Sequence, residues 1–207
     1  MLDARVRRRL DPVLAGAAAA IDRPGITPDR LTAAGLVLGL GSAGAAAGRW
    51  WGVALVLWLV SRVVDGLDGA LARHRAARTP GGADAGGFLD ITADFAVYGT
   101  SVVGVAVGVT AAYDAPWWPF LLVLLAYYVN GTAFLAFSSI AERTGRTLDD
   151  GRSLSFLGGL AEGTETIAVH ALWLLLPFWA WQLAVGWAAV VLASAAQRTW
   201  AGYRALS

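Results

Sequence analysis

DGLDGALARHRAARTPGGADAGGFLDITAD, residues 65–94, sets two pairs of aspartates in a chain otherwise poor in charge. Asp65 and Asp68 are three residues apart, and Asp90 and Asp94 are four apart, so on helices each pair shares one face. Long apolar runs lie just before Asp65 and just after Asp94. The acids therefore stand at the ends of hydrophobic segments, where uncompensated carboxylates are costly. A hard divalent cation, which prefers oxygen ligands, is the simplest partner for such a set.

The rest of the chain explains why those runs matter. Of 207 residues, 57% are hydrophobic and 15% charged, and the mean hydropathy is +0.57. Soluble domains carry roughly 45–50% apolar and about 25% charged residues. The apolar surplus is gathered into several long runs, which predicts an all-α, polytopic membrane protein. Cysteine is absent, which excludes disulfides and thiolate metal sites. All 16 basic residues are arginine. The N-terminal segment, MLDARVRRRLDPVLAGAAAAIDRPG, has a basic start but only a short alanine-rich stretch with acids nearby. It reads poorly as a signal peptide and well as an amphipathic helix lying on an anionic membrane surface.

Pro24, Gly25 and Pro28 break that first helix, and Thr27 reads as an N-cap with Pro28 at the first helical position. Six apolar runs follow, over about residues 31–48, 50–64, 87–109, 117–140, 157–176 and 177–200. Since ~20 residues span the ~30 Å hydrocarbon core, six transmembrane helices are predicted. The first is rich in glycine and alanine, which lets a neighbour approach closely. The second passes directly into Asp65. Trp50–Trp51 and Trp117–Trp118 read as interface anchors. The expected organisation is a juxtamembrane helix and linker over residues 1–26, then one membrane domain over residues 27–207.

Six crossings with a cytoplasmic N-terminus put the N-terminal segment, the loop after Arg73, the loop 142–155 and the C-terminus on one side. That side holds every arginine except Arg49 when Arg62 is counted with the Asp65 end of its helix. The positive-inside rule therefore predicts both termini, and the four aspartates, at the cytoplasmic face of a bacterial-type membrane.

The pattern within the opening stretch is D-x2-D-G-x2-A-R, twelve residues, then G-x3-D-x3-D. Gly69 and Ala72 fall on the face of the first acid pair and leave room for a ligand. Arg73 adds a permanent planar cation suited to a diphosphate. Carboxylates on two helix ends could hold one or two Mg²⁺ (or Mn²⁺) across that diphosphate, and a remaining one could take a proton from an attacking hydroxyl. This is phosphoryl-group transfer at a membrane surface.

These residues resemble the signature of the CDP-alcohol phosphotransferases, integral membrane enzymes of phospholipid synthesis. Every defining position matches, with a longer gap between Arg73 and Gly86 than the family usually has; the excess, residues 80–85, is expected to bulge into the cytoplasm. The resemblance implies metal ligation by Asp65, Asp68, Asp90 and Asp94, with Asp94 also the general base. It implies contacts to the CDP moiety from Gly69, Ala72, Arg73, Thr79, Gly86 and Thr32. Asp29 stands where the family usually has asparagine. The expected donor is CDP-diacylglycerol or a similar CDP-linked lipid, the second substrate a small alcohol, the product CMP and a phospholipid, and the assembly a homodimer in the bilayer. No nucleic-acid partner is expected. Phe95 stands where some relatives that make phosphatidylglycerophosphate or cardiolipin carry lysine, which disfavours those products.

Plainer roles compete at each position. Asp90 and Asp94 read alone would be acids favoured in the first turns of a helix, but Asp65 and Asp68 come late in theirs. Arg73 alone would be a cytoplasmic anchor. Glu162, Glu165, Arg143 and Arg152 line a candidate acceptor pocket, or pair among themselves and with Arg146. His170, deep in the fifth run, reads as a hydrogen-bonded packing residue. The rival function is a divalent-cation transporter using the aspartates as its transport site. That role favours acids near mid-membrane on a through-path, whereas these cluster at one end beside an arginine.

Overall fold

The computed structural model describes residues 2–77, 83–145 and 159–207. Among them every regular element is helical: α1 (Leu2–Ile21), α2 (Pro28–Ala47), α3 (Trp51–Ala76), α4 (Ala83–Tyr113), α5 (Trp118–Thr144), α6 (Gly163–Leu175), a 3-10 turn (Pro177–Trp179) and α7 (Ala180–Leu206). The Pro24–Gly25 break ends α1, and Gly25 takes a left-handed φ of 100°. Thr27 then caps α2: its side chain accepts from the Arg30 N–H, and Pro28 opens the helix.

Among the described residues, four helical segments are long and apolar enough to cross a membrane: Pro28–Ala47, Ala85–Tyr113, Trp118–Thr144 and Pro177–Leu206. Two of the six expected crossings fall short of that measure. Any stretch of α3 long enough to span the core includes Arg62, Asp65 and Asp68. α6 has 13 residues, or about 20 Å of helix at 1.5 Å per residue. Its apolar run begins near residue 157, but residues 159–162 are not helical. This segment lies close against α7. A Cβ on Gly159 would overlap Ser194 Oγ and come within 3.0 Å of Arg198 Nε, and the Ala161 N–H donates to Ser194 Oγ at 3.3 Å. The chain slides along α7 before it coils.

α2 is the spine that positions the site. Its small residues let α3 and α4 pack against it, while α3 and α4 barely meet each other. A Cβ on Gly39 would come within 2.6 Å of the Val97 methyls on α4 and 3.1 Å of Ser61 Oγ on α3. Gly104 and Gly108 of α4 ride directly on the backbone of Ala43 and Ala46. On the other flank, Ser61 Oγ donates to Gly35 O at 2.7 Å, and Ser42 Oγ donates to Ala54 O at 2.8 Å. Close packing of small residues and buried hydroxyl bonds are the means by which helices associate in an apolar solvent.

α1 docks on α3 beside the aspartates. Ala18 is fully buried against Ala70 and Leu71, with Leu14, Ile26 and Leu31 around them, and Leu14 lies 3.5 Å from where a Gly66 Cβ would sit. The junction is clamped by Arg75, whose Nε and Nη2 donate to Asp22 Oδ1 at 2.8 and 2.7 Å. Large apolar side chains such as Val56, Leu121, Leu125 and Phe178 remain exposed on the outside of the bundle, a surface suited to lipid rather than water.

Candidate metal and substrate site

The late turns of α3 carry Asp65 and Asp68 on one face, and α4 brings Asp90 and Asp94 opposite them. α4 begins at Ala83, so Asp90 and Asp94 lie two to three turns into the helix. The stabilisation that a helix N-terminus offers an acid fades after the first turn. The plain reading of this pair as first-turn acids therefore fails.

Asp65, Asp68 and Asp90 each present a carboxylate oxygen within 4.8 Å of the others. Oxygens on one octahedral Mg²⁺ at ~2.1 Å lie ~3.0 Å apart when adjacent and ~4.2 Å when opposite, so the three side chains must draw together to hold an ion. All three donors are hard oxygens, and Asp68 is only 3% exposed. Asp68 is also oriented: Thr32 Oγ1, from the first turns of α2, donates to its Oδ2 at 2.6 Å. Thr32, expected beside a nucleotide, thus reaches a carboxylate.

Asp94 stands apart from the trio. Its Oδ1 accepts from Arg62 Nη1 at 2.6 Å, and the same nitrogen lies 3.6 Å from Asp65 Oδ1. Arg62 is buried on α3, one turn before Asp65. Its Nη2 donates to Ser61 Oγ at 3.0 Å, and its guanidinium carbon lies 5.3 Å from the Trp58 ring centroid and 5.1 Å from that of Tyr98. Sequence reasoning counts Arg62 only toward topology. The available signal is an arginine inside an apolar run, three residues before an acid.

The other expected residues are distributed as follows. A Cβ on Gly69 would lie 3.2 Å from Arg73 Nη1, so the exposed Arg73 side chain folds back over the glycine. Ala72 is exposed next to it. A Cβ on Gly86 would lie 3.2 Å from Asp29 Oδ1, which brings the start of α2 against the start of α4. Thr79, Arg146 and Arg152 lie outside the described residues. The expected long loop is partly helix: α3 runs to Ala76 and α4 starts at Ala83.

Glu162 Oε1 accepts from the Gly159 N–H at 3.1 Å, while Glu165 Oε2 is buried without a hydrogen-bond partner. Arg143 is exposed at the end of α5. Nearby, α7 supplies an arginine that no sequence motif singles out: Arg198, 5% exposed, donates from Nη1 to Asn130 Oδ1 at 3.1 Å. His170 is fully buried and hydrogen-bonded at both nitrogens, Nδ1 to Ser101 Oγ at 2.9 Å and Nε2 to Tyr127 OH at 2.8 Å. It stacks on Trp58 at 4.8 Å, in keeping with a packing role.

Comparison with known proteins gives a family, a relative and a fold. A family model for CDP-alcohol phosphatidyltransferase matches residues 25–195. The inner membrane protein YnjF of Escherichia coli (strain K12) is 38% identical over 212 residues, covering 100% of this chain and 97% of that protein. The fold is similar to that of Mycobacterium tuberculosis phosphatidylinositol phosphate synthase (PgsA1), solved with CDP-DAG bound. That match has a TM-score of 0.64 at 21% identity and covers 94% of each chain.

Proposed function

The chain belongs to the CDP-alcohol phosphatidyltransferase family, and on that premise we propose that it moves a phosphatidyl group from CDP-diacylglycerol, or a similar CDP-linked lipid, to a small alcohol. The observation that carries this reading is the trio of carboxylates within 4.8 Å, with a fourth on a buried arginine beside it. Asp65, Asp68 and Asp90 would hold Mg²⁺, or Mn²⁺ in its place. When bound, such an ion neutralises diphosphate oxygens and the charge that builds on the departing nucleotide.

Protein groups do the rest. Gly69 leaves open the face over which Arg73 lies, so the diphosphate can approach the backbone with a guanidinium against it. Ala72, Gly86 and Thr79 complete the assigned CDP contacts, while Thr32 holds Asp68. The acceptor oxygen attacks the lipid-bearing phosphorus of the donor. Its O–P bond forms as the bond to CMP breaks, and the hydroxyl proton passes to the Asp94 carboxylate. Glu162, Glu165, Arg143 and Arg152 are assigned to the side from which the alcohol arrives.

The protein is integral to the membrane by its four long apolar helices and its likeness to an inner membrane protein. We extend this to six crossings. The two beyond the four long apolar helices are α3 and the segment that ends in α6, whose helix supplies about 20 Å. The arginine asymmetry supports a cytoplasmic site and termini, with α1 on the lipid surface, and we assign a homodimer from the family resemblance.

The test is purified full-length protein in detergent with labelled CDP-diacylglycerol, Mg²⁺ and a panel of polyols, inositol phosphate and serine. CMP release with one acceptor, lost in Asp94→Asn, is the expected result. No release with any acceptor, together with Mg²⁺ flux into proteoliposomes that Asp90→Ala abolishes, would establish the transporter instead.

A further inference from the structure

We propose that Arg62 stands where a second cation would otherwise sit, so that the aspartates bind a single divalent ion and Asp94 is held outside its coordination sphere as a proton acceptor. The inference rests on the metal-dependent reading above and concerns only how the four carboxylates are divided.

One guanidinium nitrogen spans the two helices, 2.6 Å from Asp94 Oδ1 on α4 and 3.6 Å from Asp65 Oδ1 on α3. That is the bridge a metal ion between those carboxylates would make. Arg62 is not free to vacate the place. It is 8% exposed, tied to Ser61 through Nη2, and packed against Trp58 and Tyr98. Trp58 is itself pinned by its Nε1 bond to Ile167 O at 3.1 Å and by the stacked His170. The guanidinium stays charged at any pH a protein survives. A second ion on the same oxygens would face it at contact distance in a poorly solvated site, where like charges repel strongly. The remaining acids, Asp65, Asp68 and Asp90, form the cluster whose oxygens lie within 4.8 Å of one another and could hold one ion. Arg62 is thus a positioning residue: it neutralises Asp94 and keeps it from turning toward the trio.

Mn²⁺ titration of the detergent-solubilised full chain, followed by electron paramagnetic resonance, tests the division without turnover. The expected count is one ion per chain. Arg62→Gln should bind Mn²⁺ roughly tenfold tighter or more, because a cation is removed and Asp94 is released to the metal. The same variant should lose CMP-forming turnover. Arg62→Lys, which keeps the charge, should retain the single ion and the original affinity, and Asp94→Asn in the Arg62→Gln background should cancel the gain. A general packing defect would weaken metal binding, not strengthen it.

Two equivalent ions on the unmodified chain, no tightening in Arg62→Gln, or a gain that survives Asp94→Asn overturns the proposal, as does absence of Mn²⁺ binding. If Arg62→Gln does not fold, Asp94→Asn alone decides: Mn²⁺ affinity within about twofold of the parent supports the division, and a loss of tenfold or more refutes it. CMP release by the parent protein tests the transferase reading separately, so either idea can fail alone.

Discussion

Thr32→Val isolates one hydroxyl from everything else at the site. The side chain is 5% exposed, and valine preserves its shape, so the packing of α2 on α3 stays as it is. What is lost is the 2.6 Å bond to Asp68 Oδ2. A hydrogen bond to a charged group is worth roughly 1.5–3 kcal/mol, and each 1.4 kcal/mol is a factor of ten. If that energy serves to hold Asp68 facing Asp65 and Asp90, its removal weakens metal binding about ten- to hundredfold, as loss of an outer partner does at other metal sites. Thr32→Ser keeps the hydroxyl and should stay near the parent. The assay is Mn²⁺ affinity together with the Mg²⁺ concentration that half-saturates CMP release. An affinity within threefold of the parent, in a variant that unfolds at the parent's temperature, would refute the reasoning. A raised KM for the CDP donor with metal affinity intact would instead return Thr32 to the nucleotide contact that the sequence suggests.

Three further substitutions probe the frame. Gly104→Val drives a branched side chain into the backbone carbonyl of Ala43; because backbone yields less readily than a side chain, a loss of at least about 2 kcal/mol is expected, read as a lower unfolding temperature in detergent. Gly186→Ala, where nothing lies within 4 Å of the added methyl, is the control and should be neutral or slightly stabilising. His170→Phe keeps the ring stack on Trp58 but removes the imidazole bonds to the Ser101 and Tyr127 hydroxyls, Tyr127 still accepting from Trp187 Nε1, at a cost of about 1–3 kcal/mol. Its Mn²⁺ affinity should remain at the parent value, and a change there would give His170 a part in the site that its geometry does not.

The carboxylate pairs are legible in the amino-acid sequence because they are local. The spacing of Asp65, Asp68, Gly69, Arg73, Gly86, Asp90 and Asp94 belongs to two helices, and periodicity alone puts each pair on one face. Thr27 and Pro28 announce the start of α2 because a cap is written in adjacent residues. The contact of Gly159 with Ser194 and Arg198, by contrast, is made across the bundle just before the short α6, and hydropathy sums carry no such information. Arg62 escapes charge counting for a related reason. Counting sees an arginine near a helix end, whereas its meaning comes from Asp94 on another helix, 32 residues on. Spacing likewise sets Asp94 among the expected metal ligands without recording that Arg62 Nη1 lies 2.6 Å from its Oδ1.

The last link joins the glycines to the chemistry. Asp65 and Asp68 ride on α3, Asp90 and Asp94 on α4, and these helices touch each other less than either touches α2. The distance between the two pairs is therefore set indirectly, by how closely each helix packs on the small residues of α2. Gly39 is the point where all three meet, with Val97 and Ser61 against the same missing Cβ. Ser61 in turn bonds both Gly35 O and Arg62 Nη2. A change in helix spacing at Gly39 would thus reach Arg62 through one intervening residue and Asp94 through two. By this logic a bulky residue at Gly104, several turns below the carboxylates, costs more than stability: a shift of α4 on α2 large enough to relieve the Ala43 clash moves Asp90 relative to Asp65 and Asp68. The rigidity that small residues confer on this bundle is what lets three carboxylates on two separate helices act as one site.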